Sequence, residues 1–118
     1  MSKSGVYLLK CRDCSGVYIG ETGRKFHERI NDHVNAYEKN VPGKSNFAKH
    51  LLEEGHLGDE EKILHFEGNH RRRTALETIE IIRYSTHHEC KVLNQLIPND
   101  LLIKKVYSTS PYYEETNL

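Results

Sequence analysis

Tyr7 and Tyr18, eleven residues apart, are followed by Arg29 and His33, and Cys11 and Cys14 lie between the two tyrosines. Arg29 and His33 are four residues apart and so share one face of any helix that carries them. Cleaving a phosphodiester takes a base for the attacking water, a cation on the phosphate and usually a divalent metal held by a carboxylate. A tyrosine, with a reference pKa of about 10, becomes a base only where neighbouring cations favour the phenolate, and Arg29 is such a neighbour. The plainer alternative is two half-buried strand tyrosines and a solvated arginine. The cysteines form a C-x-x-C knuckle, in which two thiolates can grip one tetrahedral zinc. Two further ligands are available in "HLLEEGH", His50 and His56, with Gly55 to let the chain turn back. His33 could compete for the metal, and two free thiols in a tight turn beside two surface histidines are the alternative to a metal site.

Those groups need a scaffold, and the pattern around them supplies one. "GVYLLKC" and "GVYIGE" are short, β-branched and aromatic, and they flank a turn with Asp13, Ser15 and Gly16; this is a hairpin in which Tyr7 and Tyr18 can be cross-strand neighbours. Phe26, Ile30, His33, Val34 and Tyr37 fall on one helical stripe. "VPGKS" breaks that helix, and Ser45 caps a second with Phe47, Ala48, Leu51 and Leu52 inward and Gly55 at its end. After a "GDEE" loop, "KILHFE" (62–67) reads as a third strand, and Asn69 caps a third helix with Ala75, Leu76, Ile79 and Ile82 inward. Beyond it "KVLNQ" is extended, "PNDLLIKK" a short helix from Pro98, and the rest a loose tail. The order β-β-α-α-β-α gives a small sheet covered by helices, in the α+β or α/β class.

The two tyrosine motifs at this separation, with Arg29, His33 and a helical glutamate after them, make the sequence similar to the GIY-YIG nuclease family, the first motif here reading G-V-Y. The likeness covers about residues 5–95. It implies a three-stranded antiparallel sheet flanked by helices and single-metal hydrolysis of DNA. By matching position, Tyr7, Tyr18, Arg29, His33 and Glu77 are the catalytic set. Glu77 in "TALETIEII" holds one Mg2+ or Mn2+, Glu80 is the second choice, and Asn94 is a late counterpart. Read on its own, Glu77 lies at the edge of the buried stripe four residues after Arg73, where an exposed ion pair is the ordinary expectation. The implied mechanism has Tyr7 assisting deprotonation of water, Arg29 stabilising the phosphate, Tyr18 positioning, and His33 relaying a proton or touching phosphate.

Within that family the sequence resembles the endonuclease domain of Penelope-like retroelements, in "VYIGETGRKFHERINDH", "FAKHLLEEGH" and "RRRTALETIEI". This implies a structural Cys2His2 zinc from Cys11, Cys14, His50 and His56, with no open position for water. It also implies a reverse transcriptase in the same full-length polypeptide, a nick that primes reverse transcription, and hence a nuclear place of action. "GRK" (Arg24, Lys25) and "HRRR" (Arg71, Arg72, Arg73), with Asn94, are candidates for the DNA-facing surface. His27, His65, His70, His87 and His88 are read as surface or packing residues, "HHEC" as a weak second metal cluster, and Cys90 as buried or free.

Composition sets the frame. The 118 residues are expected to form a single domain, 1–118, with a core over 5–95 and a C-terminal extension and tail over 96–118. Seventeen Lys and Arg balance seventeen Asp and Glu, which argues against a sequence-blind grip on nucleic acid by overall charge. No apolar run is long enough for a membrane span, "MSKSG" does not read as a secretion signal, and three cysteines do not make a disulfide framework, so an intracellular monomer or weak dimer is expected. Two rival readings use the same elements: a DNA-binding module of this fold without hydrolysis, and a zinc-stabilised protein-interaction domain.

Overall fold

The computed structural model describes residues 4–86 and 89–94. Strand β1 (Gly5–Cys11) and strand β2 (Gly16–Thr22) form the antiparallel hairpin, paired from Gly5↔Thr22 to Lys10↔Val17. Helix α1 (Phe26–Glu38) follows, then a single 3-10 turn over Pro42–Lys44, helix α2 (Asn46–Glu54), strand β3 (Gly58–Phe66), helix α3 (His70–Thr86) and a two-residue strand β4 (Lys91–Val92). The sheet order is β3-β1-β2-β4, with β3 antiparallel to β1 and β4 parallel to β2.

Alternation along the hairpin divides the core into two layers. Tyr7, Leu9 and Cys11 pack on one face of the sheet with Phe26, Phe47 and Leu51 from α1 and α2. Val6, Leu8, Val17 and Ile19 pack on the other, against Ile81 of α3. Six of the seven β1 residues are buried, as a strand covered on both faces requires. Each fully buried large apolar side chain contributes about 1.5–3 kcal/mol, so Val6 and Ile19, both at 0 % exposure, are principal supports. The helix ends follow their sequence signals. Ser45 Oγ accepts the Ala48 amide at 3.0 Å, Gly55 closes α2 in the left-handed conformation (φ 68°), and Asn69 Oδ1 accepts the Arg72 amide at 3.1 Å.

Four expectations are corrected. The sheet has four strands rather than three, because Lys91–Val92 pairs with Gly16–Val17 at the free side of β2. "GDEE" is not a loop but the first half of β3: the strand needs only backbone pairing with β1, and its charged side chains face water as an edge strand permits. Val34 is 44 % exposed, outside the buried stripe of α1, and Ala75 is likewise exposed, because α3 turns Arg73, Ile79, Glu80, Ile81 and Ile82 inward. The helix expected from Pro98, the tail, and His87 and His88 lie outside the described residues.

Asn94 closes the β2 edge where β4 stops. Its Oδ1 accepts the Ile19 amide at 3.0 Å, and its Nδ2 donates to the Ile19 carbonyl at 2.6 Å. A side chain engaged in this way imitates a neighbouring strand and is not turned toward DNA. Asn94→Ala therefore costs about 1–3 kcal/mol, read as a lower denaturation midpoint, with faster amide exchange at Ile19.

Candidate active site and metal centre

Tyr7 stands opposite Gly20 in the ladder and Tyr18 opposite Leu9, so the two tyrosines are diagonal neighbours on the α1–α2 face, their ring centres 6.4 Å apart. Tyr7 lies across β2 at Gly20, where an added Cβ would overlap its hydroxyl and ring edge. His33, buried in α1, meets the Tyr7 hydroxyl with Nε2 at 2.9 Å and Ser45 Oγ with Nδ1 at 2.6 Å. Both imidazole nitrogens are thus engaged inside the protein, which leaves none for a phosphate. Burial and the nearby Arg29 charge push His33 down to about 4, so it is neutral at physiological pH. Arg29, one turn earlier on α1, lowers the Tyr18 phenol by its charge and lies 3.6 Å from Asp32. Burial raises both phenols, and the Arg29 charge pulls both back toward the phenolate.

Glu77 reaches this cluster from the opposite layer. Val17 and Ile19 turn backbone groups outward from β2, to Leu93 and Asn94, and Glu21 is next in the same alternation. The Glu21 backbone amide favours the charged form of the Glu77 carboxyl. Burial, then the Glu21 charge, outweigh it and push Glu77 up to about 7. Its charge is felt at Tyr7 and Tyr18 around the strand edge. A half-buried carboxylate held at this cost, beside a second carboxylate, gains from a bound cation, so the residues present fit a divalent ion there. Glu80, the second choice, is 5 % exposed and committed elsewhere, 2.7 Å from His65 Nε2 and 3.4 Å from Arg83 Nη1.

The basic residues divide. Arg73 is buried, with Nε 2.8 Å from Glu21 Oε1 and Nη1 2.6 Å from the Gly68 carbonyl, so it is neither DNA-facing nor paired with Glu77. It draws the start of α3 against Gly23, which brings exposed Arg71 and Arg72 to the same end of the sheet as Arg24 and Lys25. Arg24 is bonded to Asp32. Ser45, Gly20 and Glu21 carry parts of the site that reading the sequence did not assign. Ser45 was legible only as a helix cap; Gly20 follows from counting the hairpin register.

At the hairpin tip the donor atoms of Cys11, Cys14, His50 and His56 all lie within 4.8 Å of one another. Cys11 Sγ is 3.4 Å from His56 Nδ1, Cys14 Sγ is 3.3 Å from His50 Nε2, and the two imidazole nitrogens are 3.3 Å apart. A zinc tetrahedron with Zn–N and Zn–S bonds of about 2.0 and 2.3 Å has edges of roughly 3.3–3.8 Å. Two thiols and two imidazoles at that spacing fit zinc and would complete its coordination. The cluster joins the hairpin tip to α2 and to the entry of β3, where Asp13 Oδ2 accepts the Leu57 amide at 2.8 Å.

A mixed sheet thus carries a tyrosine-arginine-histidine cluster at one strand edge and a Cys2His2 cluster that could hold a metal at the hairpin tip. The model of the GIY-YIG catalytic domain matches residues 3–93, most of the chain, which therefore belongs to the GIY-YIG family of endonucleases. No curated protein and no solved structure matches the chain.

Elemental analysis of the purified chain should find one zinc, absent in Cys14→Ala. Chelation should lower Tm by ~10 °C or more, because a structural site contributes several kcal/mol and each is worth roughly 4 °C or more in a domain of this size. Glu77 gives the second test. Its folded pKa is raised from 4.5 to about 7, so the folded chain binds more protons than the unfolded one between those values, and stability falls as pH rises through that window. Solvent reaching the half-buried carboxylate screens the penalty to about 1–2 kcal/mol. Glu77→Gln should be more stable than the parent by that amount at pH 8 and no more stable at pH 4; denaturant titrations at the two pH values check it.

Proposed function

We propose that this chain is a metal-dependent DNA endonuclease that nicks one strand, and that Tyr7, Tyr18, Arg29, His33 and Glu77 are its catalytic set. The observation that carries this is the cluster of Tyr7, Tyr18 and His33 on one face of the hairpin, with the charges of Arg29 from α1 and Glu77 from α3 acting on both phenols. Glu77 would hold one Mg2+ or Mn2+, which when bound supplies Lewis-acid stabilisation of the leaving 3′ oxygen. Tyr7 takes the proton of the attacking water, with its oxygen held by His33. Tyr7 is enclosed and Tyr18 half-open, so substrate must uncover the hydroxyl. Arg29, beside Tyr18 and Asp32, is the side chain that an incoming phosphate engages, and it then neutralises the charge developing on phosphorus-bound oxygen. From Arg29 a cleft of about 510 Å³ continues past Lys39 and Lys44 along α1. Asp32 also lines it, but Arg24 bonded to that carboxylate offsets its charge. This basic cleft is the path we assign to the cut strand, with Arg24, Lys25, Arg71 and Arg72 holding flanking phosphates.

The Cys2His2 cluster, with its cysteines between the two tyrosine motifs and its histidines downstream, supports the Penelope-like reading. On that reading the domain works beside a reverse transcriptase in one polypeptide, its nick exposes the priming 3′ hydroxyl, and it acts in the nucleus. We read the 118 residues as one domain that places a single active centre on one strand, as a monomer or weak dimer.

The test is relaxation of supercoiled plasmid, with and without Mg2+, by the zinc-loaded chain, Glu77→Ala and Tyr7→Phe. Open circles made only with metal are expected from the parent, and a loss of about a hundredfold or more from each variant. Equal cutting by all three would sink the assignment. DNA binding without any cutting by the folded parent would make the chain a binding module.

A further inference from the structure

We propose that Ser45 is a positioning residue whose hydroxyl donates to Nδ1 of His33 and so keeps the imidazole hydrogen on Nε2, aimed at the Tyr7 oxygen. This rests on the nuclease reading, and it specifies how Tyr7 is prepared to be the base. Tyr7, neutral His33 and Ser45 carry one hydrogen each toward two contacts, 2.9 Å and 2.6 Å long, so one hydrogen is left over at an end of the chain. Both ends are buried, Ser45 at 5 % and Tyr7 at 0 % exposure, and the Ser45 oxygen is further fixed by accepting the Ala48 amide, so the reaction itself tells the two arrangements apart. Left at Tyr7, the hydrogen is on the oxygen that must give it up to become a base, in a cluster where Tyr18, Arg29, Glu77 and Glu21 act on the phenol. That is also where the reaction needs it. Once Tyr7 is a phenolate its oxygen can only accept, and neutral His33 can donate to it from Nε2 only if something donates to Nδ1. Ser45 is the group placed to do so.

The same hydroxyl thus has two fixed tasks. Its lone pair ends helix α2, which fixes the rotamer, and the fixed rotamer turns its hydrogen to His33. No proton travels along the chain: Tyr7 first loses its own hydrogen to solvent, the phenolate then takes the proton of the attacking water, and His33 and Ser45 keep theirs throughout.

The experiment uses the full zinc-loaded chain, 15N-labelled, with Ser45→Gly and Ser45→Thr. Glycine is a tolerated N-cap without a hydroxyl, and threonine keeps both cap and hydroxyl. Imidazole 15N spectra without DNA should show His33 protonated at Nε2 in the parent and the threonine variant. In Ser45→Gly the hydrogen should move wholly or partly to Nδ1. Plasmid nicking by Ser45→Gly should fall about ten- to a hundredfold at fixed pH, with the rising limb of its pH profile displaced upward by about one to two pH values, the worth of one hydrogen bond to a charged oxygen. Threonine should restore both readouts. A parent protonated at Nδ1 would overturn the proposal, as would a glycine variant that slows without change of tautomer or profile. A parent that does not nick would defeat the nuclease reading alone, because the spectra decide the role of Ser45 without it.

Discussion

The phenol of Tyr7 can lie across β2 only because residue 20 has no side chain. The antiparallel register sets Tyr7 against Gly20, and any Cβ there would occupy the space of the hydroxyl. Everything else at the site presumes that crossing. It brings the Tyr7 oxygen within reach of His33, and His33 is held in turn by the residue that caps α2. The same crossing lets Glu77, from the helix on the far face, act on the phenol around the rim of the sheet. A group of residues drawn from both layers can meet at a sheet edge but not through its middle, where β1 is sealed on both sides.

The edge itself is fixed by polar groups that substitute for a missing strand. β4 covers two residues of β2, the Asn94 amide covers the next outward position, and Glu77 takes the one after that. The buried Arg73–Glu21 pair then locks the start of α3 to the same strand. The arrangement leaves Glu77 poorly solvated and close to a like charge, a loss of stability that an apolar or amide side chain would avoid. Sites that bind cations commonly carry such a burden in the empty state.

Much of this was legible in the residues. The hairpin, the three helices and both caps of α2 follow from periodicity and turn chemistry, while spacing only offered His50 and His56 as partners for Cys11 and Cys14 and the family resemblance implied the full set. The strand reading failed at Asp59–Glu61 because an edge strand owes its stability to backbone pairing, which leaves no apolar alternation to detect. The reading of Arg73 failed for a related reason: a charge run looks solvated unless a partner far along the chain is known, and Glu21 is fifty-two residues away. Ser45 shows the limit most clearly. Its capping task is local and readable, whereas its contact with His33 depends on how α1 and α2 pack.

The separation of charges gives the neutral chain a direction. Exposed Glu53, Glu54, Asp59, Glu60 and Glu61 cluster beside the hairpin tip among Lys10, Arg12, Lys62 and Lys91, while Arg24, Lys25, Arg71 and Arg72 gather at the hairpin's base. Zero net charge therefore conceals a basic pole at the base facing a mixed one at the tip. In the field of a polyanion such a body feels little net pull but a definite torque, which turns the basic pole forward before contact. Orientation, rather than affinity, is what this distribution contributes.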